Sequence, residues 1–106
     1  MAGSDSKLMS LEDAAALVGD DQLLALGGSL LHRCPSAFAR AWARSPRRFK
    51  VRIAKPSCAY DVDLLIGAER VSQLQAGIVT FEAEFGMAPH FRRAVEQGRI
   101  EFLEHA

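Results

Sequence analysis

Apolar residues recur at helical spacing at Leu11, Ala14, Ala15 and Val18, behind Ser10-Leu11-Glu12-Asp13, where a serine precedes an acid by three residues. A serine at that place can accept a hydrogen bond from the third N–H of a helix, so the pattern predicts a first helix that ends near Gly19. Leu23 to Leu26 is an unbroken apolar run between Asp20-Asp21 and Gly27-Gly28. It is too short for a helix and predicts a strand buried on both faces. Pro35 suits a first helical position because its missing N–H would have no partner there, and Phe38, Ala39 and Trp42 then share one face until Ser45-Pro46. Phe49, Val51 and Ile53 alternate with Lys50 and Arg52, which predicts a strand near a sheet edge that stops at Pro56.

The second half repeats the theme. Tyr60 to Gly67 predicts a short helix capped by an aspartate and closed by glycine. Leu74 to Phe81 predicts an interior strand, with Gly77 marking a close approach of another backbone. Pro89 opens a last helix with Phe91, Ala94 and Val95 toward the core, Arg92, Arg93 and Glu96 toward water, and Gly98 at its end. Ile100 to Leu103 is a fourth strand. Strands alternating with helices predict an α/β fold, a mostly parallel sheet with helices on both faces and right-handed crossovers. No helix follows the fourth strand, so residues 1–106 read as an incomplete half, the amino-terminal portion of a larger domain, covered by further chain or by a partner.

Composition narrows the function classes. The 106 residues allow one domain, and 13 basic against 13 acidic side chains give no long-range attraction to nucleic acid. No apolar run approaches a membrane span and the start lacks a signal-peptide pattern, so a cytoplasmic protein is expected. Cys34 and Cys58 stand in neither a metal nor a redox spacing and are expected as thiols, and His32, His90 and His105 have no mutual metal-site spacing. Gly27-Gly28 lacks the remaining residues of a phosphate loop or of a dinucleotide fingerprint. ATP, NAD and any permanently bound cofactor are therefore not expected.

The candidate chemistry gathers where strands end. Gly27 and Gly28, without Cβ, would let a ligand approach main-chain N–H groups at the carboxyl end of the first strand, with Ser29, His32 and Arg33 at the mouth of the turn. The alternative is a tight turn without a ligand. Glu82 follows the third strand as a catalytic candidate, against the alternative of a solvated surface acid, and Glu84 is read as structural. Arg33 could pair with a carboxylate or phosphate, or simply flank a helix. Tyr60 and Asp61 are read as a helix entry rather than a ligand site.

Three ordered motifs carry a resemblance: Asp20 to Pro35, then Tyr60-Asp61-Val62-Asp63-Leu64-Leu65-Ile66-Gly67-Ala68, then Phe81 to Pro89 leading into Phe91-Arg92-Arg93-Ala94. From about Lys7 to His105 this order resembles the amino-terminal part of the alpha subunit of family I CoA-transferases, of the glutaconate and 3-oxoacid type. Asp21 stands where that pattern prefers glycine, and Ser29 where it often has a bulky residue. The resemblance implies a Rossmann-like α/β sheet shared by the alpha and beta subunits of a hetero-oligomer, in which the alpha subunit is inactive without its partner. It implies CoA transfer between an acyl-CoA and a free carboxylic acid, through a glutamyl–CoA thioester on the partner's Ser-Glu-Asn-Gly motif, which this chain lacks. Coenzyme A is then a substrate. Gly27, Gly28, Ser29, Arg33 and Ser57 become the expected substrate and CoA contacts, with main-chain N–H groups of Gly28 and Ser29 as charge-stabilising donors. Glu82 matches the partner's nucleophile only in topology. Two other readings stay open: a subunit of a CoA-ester hydrolase in the same family, or a catalytically silent chain serving as a binding and assembly module.

Overall fold

The computed structural model describes residues 8–47, 50–81 and 86–105. Ser10 Oγ accepts the Asp13 N–H at 3.1 Å and opens α1 (Leu11–Ala16), the cap that the sequence predicts. The chain continues through β1 (Leu23–Ala25), α2 (Ser36–Ala43), β2 (Val51–Ala54), β3 (Ser57–Cys58) and α3 (Tyr60–Gly67). It ends through β4 (Val71–Ala76), β5 (Ile78–Val79), α4 (Pro89–Glu96) and β6 (Glu101–Glu104). Four strands form a parallel sheet in the order β1-β2-β4-β6, and β3 pairs with β5 in a separate parallel ribbon. Among the described residues no helix is long and apolar enough to cross a membrane.

The expected α/β fold with parallel strands is present, but two strands exchange places relative to expectation. β2 lies inside the sheet, with Val51 and Ile53 fully buried, whereas β1 is the end strand and leaves Leu23 half exposed. Alternation in β2 reported which of its faces is covered, not its position in the sheet. The third strand starts earlier than expected, at Val71, and breaks at Gly77 before resuming as β5. A Cβ on Gly77 would lie 2.7 Å from the His105 carbonyl oxygen and 3.2 Å from that of Pro56, which is the predicted close approach.

Strand order that rises without reversal keeps successive helices on one side when its crossovers share one hand. α1, α2, α3 and α4 pack in that sequence as neighbours. Leu24, Ile53, Leu74 and Phe102 form one row across the sheet and join Ala39, Trp42, Leu65 and Ala94 in the core. Trp42 is fully buried, and Phe91 meets Phe102 edge-on with ring centroids 5.2 Å apart. Val95, expected in the core, is exposed on α4. The preceding row, Leu23, Arg52, Gln73 and Glu101, lies on the other face, where Gln73 Nε2 donates to Glu101 Oε1 and Gln75 Nε2 to Gln73 Oε1. The described residues thus form one of the two expected helix layers.

Two buried charged side chains satisfy helix ends. Asp63 Oδ1 accepts the Phe91 N–H at 2.7 Å and Oδ2 that of His90 at 3.4 Å, so a carboxylate on α3 caps the start of α4. Arg70 donates from Nη2 to the carbonyls of Ser45 (2.6 Å) and Ala43 (3.2 Å), and from Nη1 to that of Arg47, closing the exit of α2. The aspartate cap expected for α3 itself is absent: Ala59 holds that position, and Asp61 is engaged elsewhere.

Candidate functional site

The carboxyl ends of β1 and β2 deliver two loops side by side. After β1 the chain folds into a turn in which the Ser29 N–H donates to the His32 carbonyl at 2.9 Å and the His32 N–H returns to that of Ser29 at 2.8 Å. Gly28 enters this turn at φ 89°, and Leu30 and Arg33 also adopt positive φ, 50° and 57°. A Cβ on Gly28 would overlap the Arg33 carbonyl, so glycine is required here by both backbone angle and space. Gly27 takes no positive φ, and a Cβ there would meet nothing within 4 Å. The turn is fastened to the second loop by the Leu30 N–H, which donates to the Ser57 carbonyl at 3.0 Å.

These bonds revise the expected donors. The Ser29 N–H is consumed inside the turn, whereas the Gly28 N–H makes no hydrogen bond to another described residue. Ser29 therefore offers its exposed hydroxyl, and of the two expected donors Gly28 is the one whose main-chain N–H stays unengaged among the described residues. Gly27, Gly28, Ser29 and Ser57 come together at one end of the sheet. The Arg33 side chain is exposed beyond the turn, and Pro35 precedes α2 as its N-cap rather than occupying the first helical position. Glu82 and Glu84 lie outside the described residues. Just before them in sequence, the Phe81 N–H donates to the Gly86 carbonyl at 2.8 Å and the Thr80 N–H to that of Cys58 at 3.0 Å, so Thr80 adjoins the second loop.

Beneath the loops sits a feature that pattern reading missed. Lys55 follows β2 directly, and its Nζ lies 2.7 Å from Asp61 Oδ2, with both side chains fully buried. Cys58 donates from Sγ to the Lys55 carbonyl at 3.2 Å, and Cys34 donates from Sγ to that of Leu30. Burial pushes the Cys58 thiol up to about 12. Burial, then the Asp61 carboxylate, raises the Cys34 thiol above its ordinary value. The available signal was a lysine directly after an alternating strand and an aspartate one place into an apolar helix. A groove of about 300 Å³ lies elsewhere, bounded by α1 and the exit of α2, and none of the expected site residues lines it.

Comparison with solved structures supports both the fold and its context. The chain is 26% identical to glutaconate coenzyme A-transferase from Acidaminococcus fermentans, with a TM-score of 0.81 over 95% of this chain and 32% of that one. It is 25% identical to the decarboxylase AibA/AibB, in a variant with one cysteine replaced by serine, also with a TM-score of 0.81, over 92% of this chain and 38% of that one. The chain thus spans about a third of the length of each structure. No curated protein matches. The family description for coenzyme A transferases matches residues 8–105, nearly the whole sequence, and with the parallel sheet and its paired carboxyl-end loops this makes the chain a member of the coenzyme A transferase family.

Proposed function

We propose that this chain forms one wall of a CoA-transferase site completed by a beta-type partner, which moves CoA between an acyl-CoA and a free carboxylic acid. The observation that carries the reading is the Gly28 N–H, unengaged among the described residues, in a turn fastened to Ser57 at the carboxyl end of a parallel sheet. In the reaction a glutamate of the partner attacks the thioester carbonyl, and charge develops on that oxygen, where a main-chain donor stabilises it. Expulsion of the CoA thiolate leaves an acyl–glutamyl anhydride. The thiolate then attacks the glutamyl carbonyl and releases the acyl group as its carboxylate, leaving a glutamyl–CoA thioester. The acceptor acid reverses both steps. Each intermediate remains activated, so no ATP is consumed.

Within this reading Gly27 leaves the approach open, the Ser29 and Ser57 hydroxyls orient the carbonyl or carboxylate, and Arg33 pairs with the acceptor carboxylate or a CoA phosphate. Glu82 is assigned substrate orientation. The reading includes a cytoplasmic hetero-oligomer, with coenzyme A as substrate and no resident cofactor. Its test is a comparison of the chain alone and with a candidate beta partner, supplied with acyl-CoA and an acceptor acid. Transfer only in the complex is expected. Turnover by the chain alone would reject the shared site and assign catalysis to Glu82. CoA release without an acceptor would identify a hydrolase, and an inert complex would identify an assembly module.

A further inference from the structure

We infer that the buried Lys55–Asp61 pair is a positioning device, which sets the Gly28 turn and Ser57 in the geometry that transfer requires. This inference rests on the CoA-transferase reading of the site. Lys55 is anchored at the end of β2 by its N–H, which donates to the Gln75 carbonyl at 3.0 Å, and its carbonyl receives the Cys58 Sγ–H. Asp61 sits in the first turn of α3, so the ion pair closes the loop from Lys55 to Asp61 that carries Ser57. The Ser57 carbonyl accepts the Leu30 N–H at 3.0 Å, and the Leu30 carbonyl accepts the Cys34 thiol, inside the turn that Gly28 enters. One ion pair therefore links the second loop, α3 and the glycine turn.

Stability does not explain the pair. Taking both charges out of water offsets most of their attraction, so two apolar side chains of similar volume would stabilise the site as well or better. What an apolar pair lacks is direction: a 2.7 Å charge-assisted bond fixes where the end of β2 stands relative to α3, and dispersion contacts do not. Both side chains are fully buried, so neither reaches substrate. They act through the atoms that do, as a small displacement of such atoms is enough to slow a reaction about 100-fold.

The test uses the complete complex and two variants, the double substitution Lys55→Met with Asp61→Leu, and Asp61→Glu, which keeps the charges and moves the carboxylate by one methylene. Melting temperature, kcat/KM for an acyl-CoA with acceptor acid, and the rate at which iodoacetamide modifies Cys34, followed by mass spectrometry, are measured for each. We expect at least one variant to melt close to the unmodified complex while kcat/KM falls about 10- to 100-fold and Cys34 reacts roughly tenfold faster. Unchanged kcat/KM, an unchanged Cys34 rate, or turnover lost only in step with the folded fraction would overturn the inference. If the unmodified complex transfers no CoA, the functional reading falls, and the Cys34 rate in Asp61→Glu, which keeps both charges, decides whether the pair holds the turn.

Discussion

The two adjacent glycines have separate physical reasons to be glycine, and substitution separates them. Gly28→Ala must place a Cβ at φ 89° and against the Arg33 carbonyl. Left-handed backbone costs about 1–2 kcal/mol for an L-residue, and the overlap adds to it, so a lower midpoint of unfolding together with lost activity is expected. At Gly27 an added Cβ meets nothing within 4 Å, so for Gly27→Val the melting temperature should hold while turnover falls, because the added bulk fills the approach to the Gly28 N–H. Equal activity in Gly27→Val and the unmodified protein would remove Gly27 from the site. The sequence announced a turn at this pair but not which glycine was structural, since that depends on Arg33 folding back across the chain. Asp21 shows the same limit from the other side. Its φ of 58° explains why a glycine suits that position, and aspartate tolerates this backbone better than most residues.

At the scale of elements, α4 is held at its start by a side chain 26 residues upstream of Pro89. Asp63→Ala leaves the Phe91 and His90 N–H groups without their carboxylate partner. A loss of about 0.5–2 kcal/mol in urea unfolding is expected, with Asp63→Asn retaining part of it. A change within error for Asp63→Ala would show that water caps α4 equally well. Local signals read well here: the Ser10 cap, the Ala39–Trp42 face and the proline start of α4 all follow from neighbours in sequence. Long-range satisfaction did not. Asp61 and Asp63 resemble ordinary first-turn acids, and only the fold reveals that one meets Lys55 and the other the next helix. Arg70 likewise looks like a surface charge until α2 brings its last carbonyls to it.

For the whole molecule, the face bearing Leu23, Arg52, Gln73 and Glu101 carries no helix among the described residues. The apolar residues of the last strand divide accordingly: Ile100 and Phe102 pack on the core, while Leu103 stays 38% exposed. With β1 and β6 at the ends of the sheet, the free 106-residue chain is expected to associate at micromolar concentration. Sedimentation checks this, and a concentration-independent monomer with a sharp melt would show that the face tolerates water. Parallel pairing was legible from the alternation of strands and helices, whereas strand order was not, because the unbroken apolar run of β1 and the alternation of β2 report the cover on each face and not the number of strand partners. That order carries a consequence for synthesis. In the four-stranded sheet β2 adds to β1, β4 to β2 and β6 to β4, whereas β3 pairs with the later β5. Each strand of that sheet after β1 therefore finds its template already outside the ribosome when it emerges, and the sheet can grow in the direction of translation.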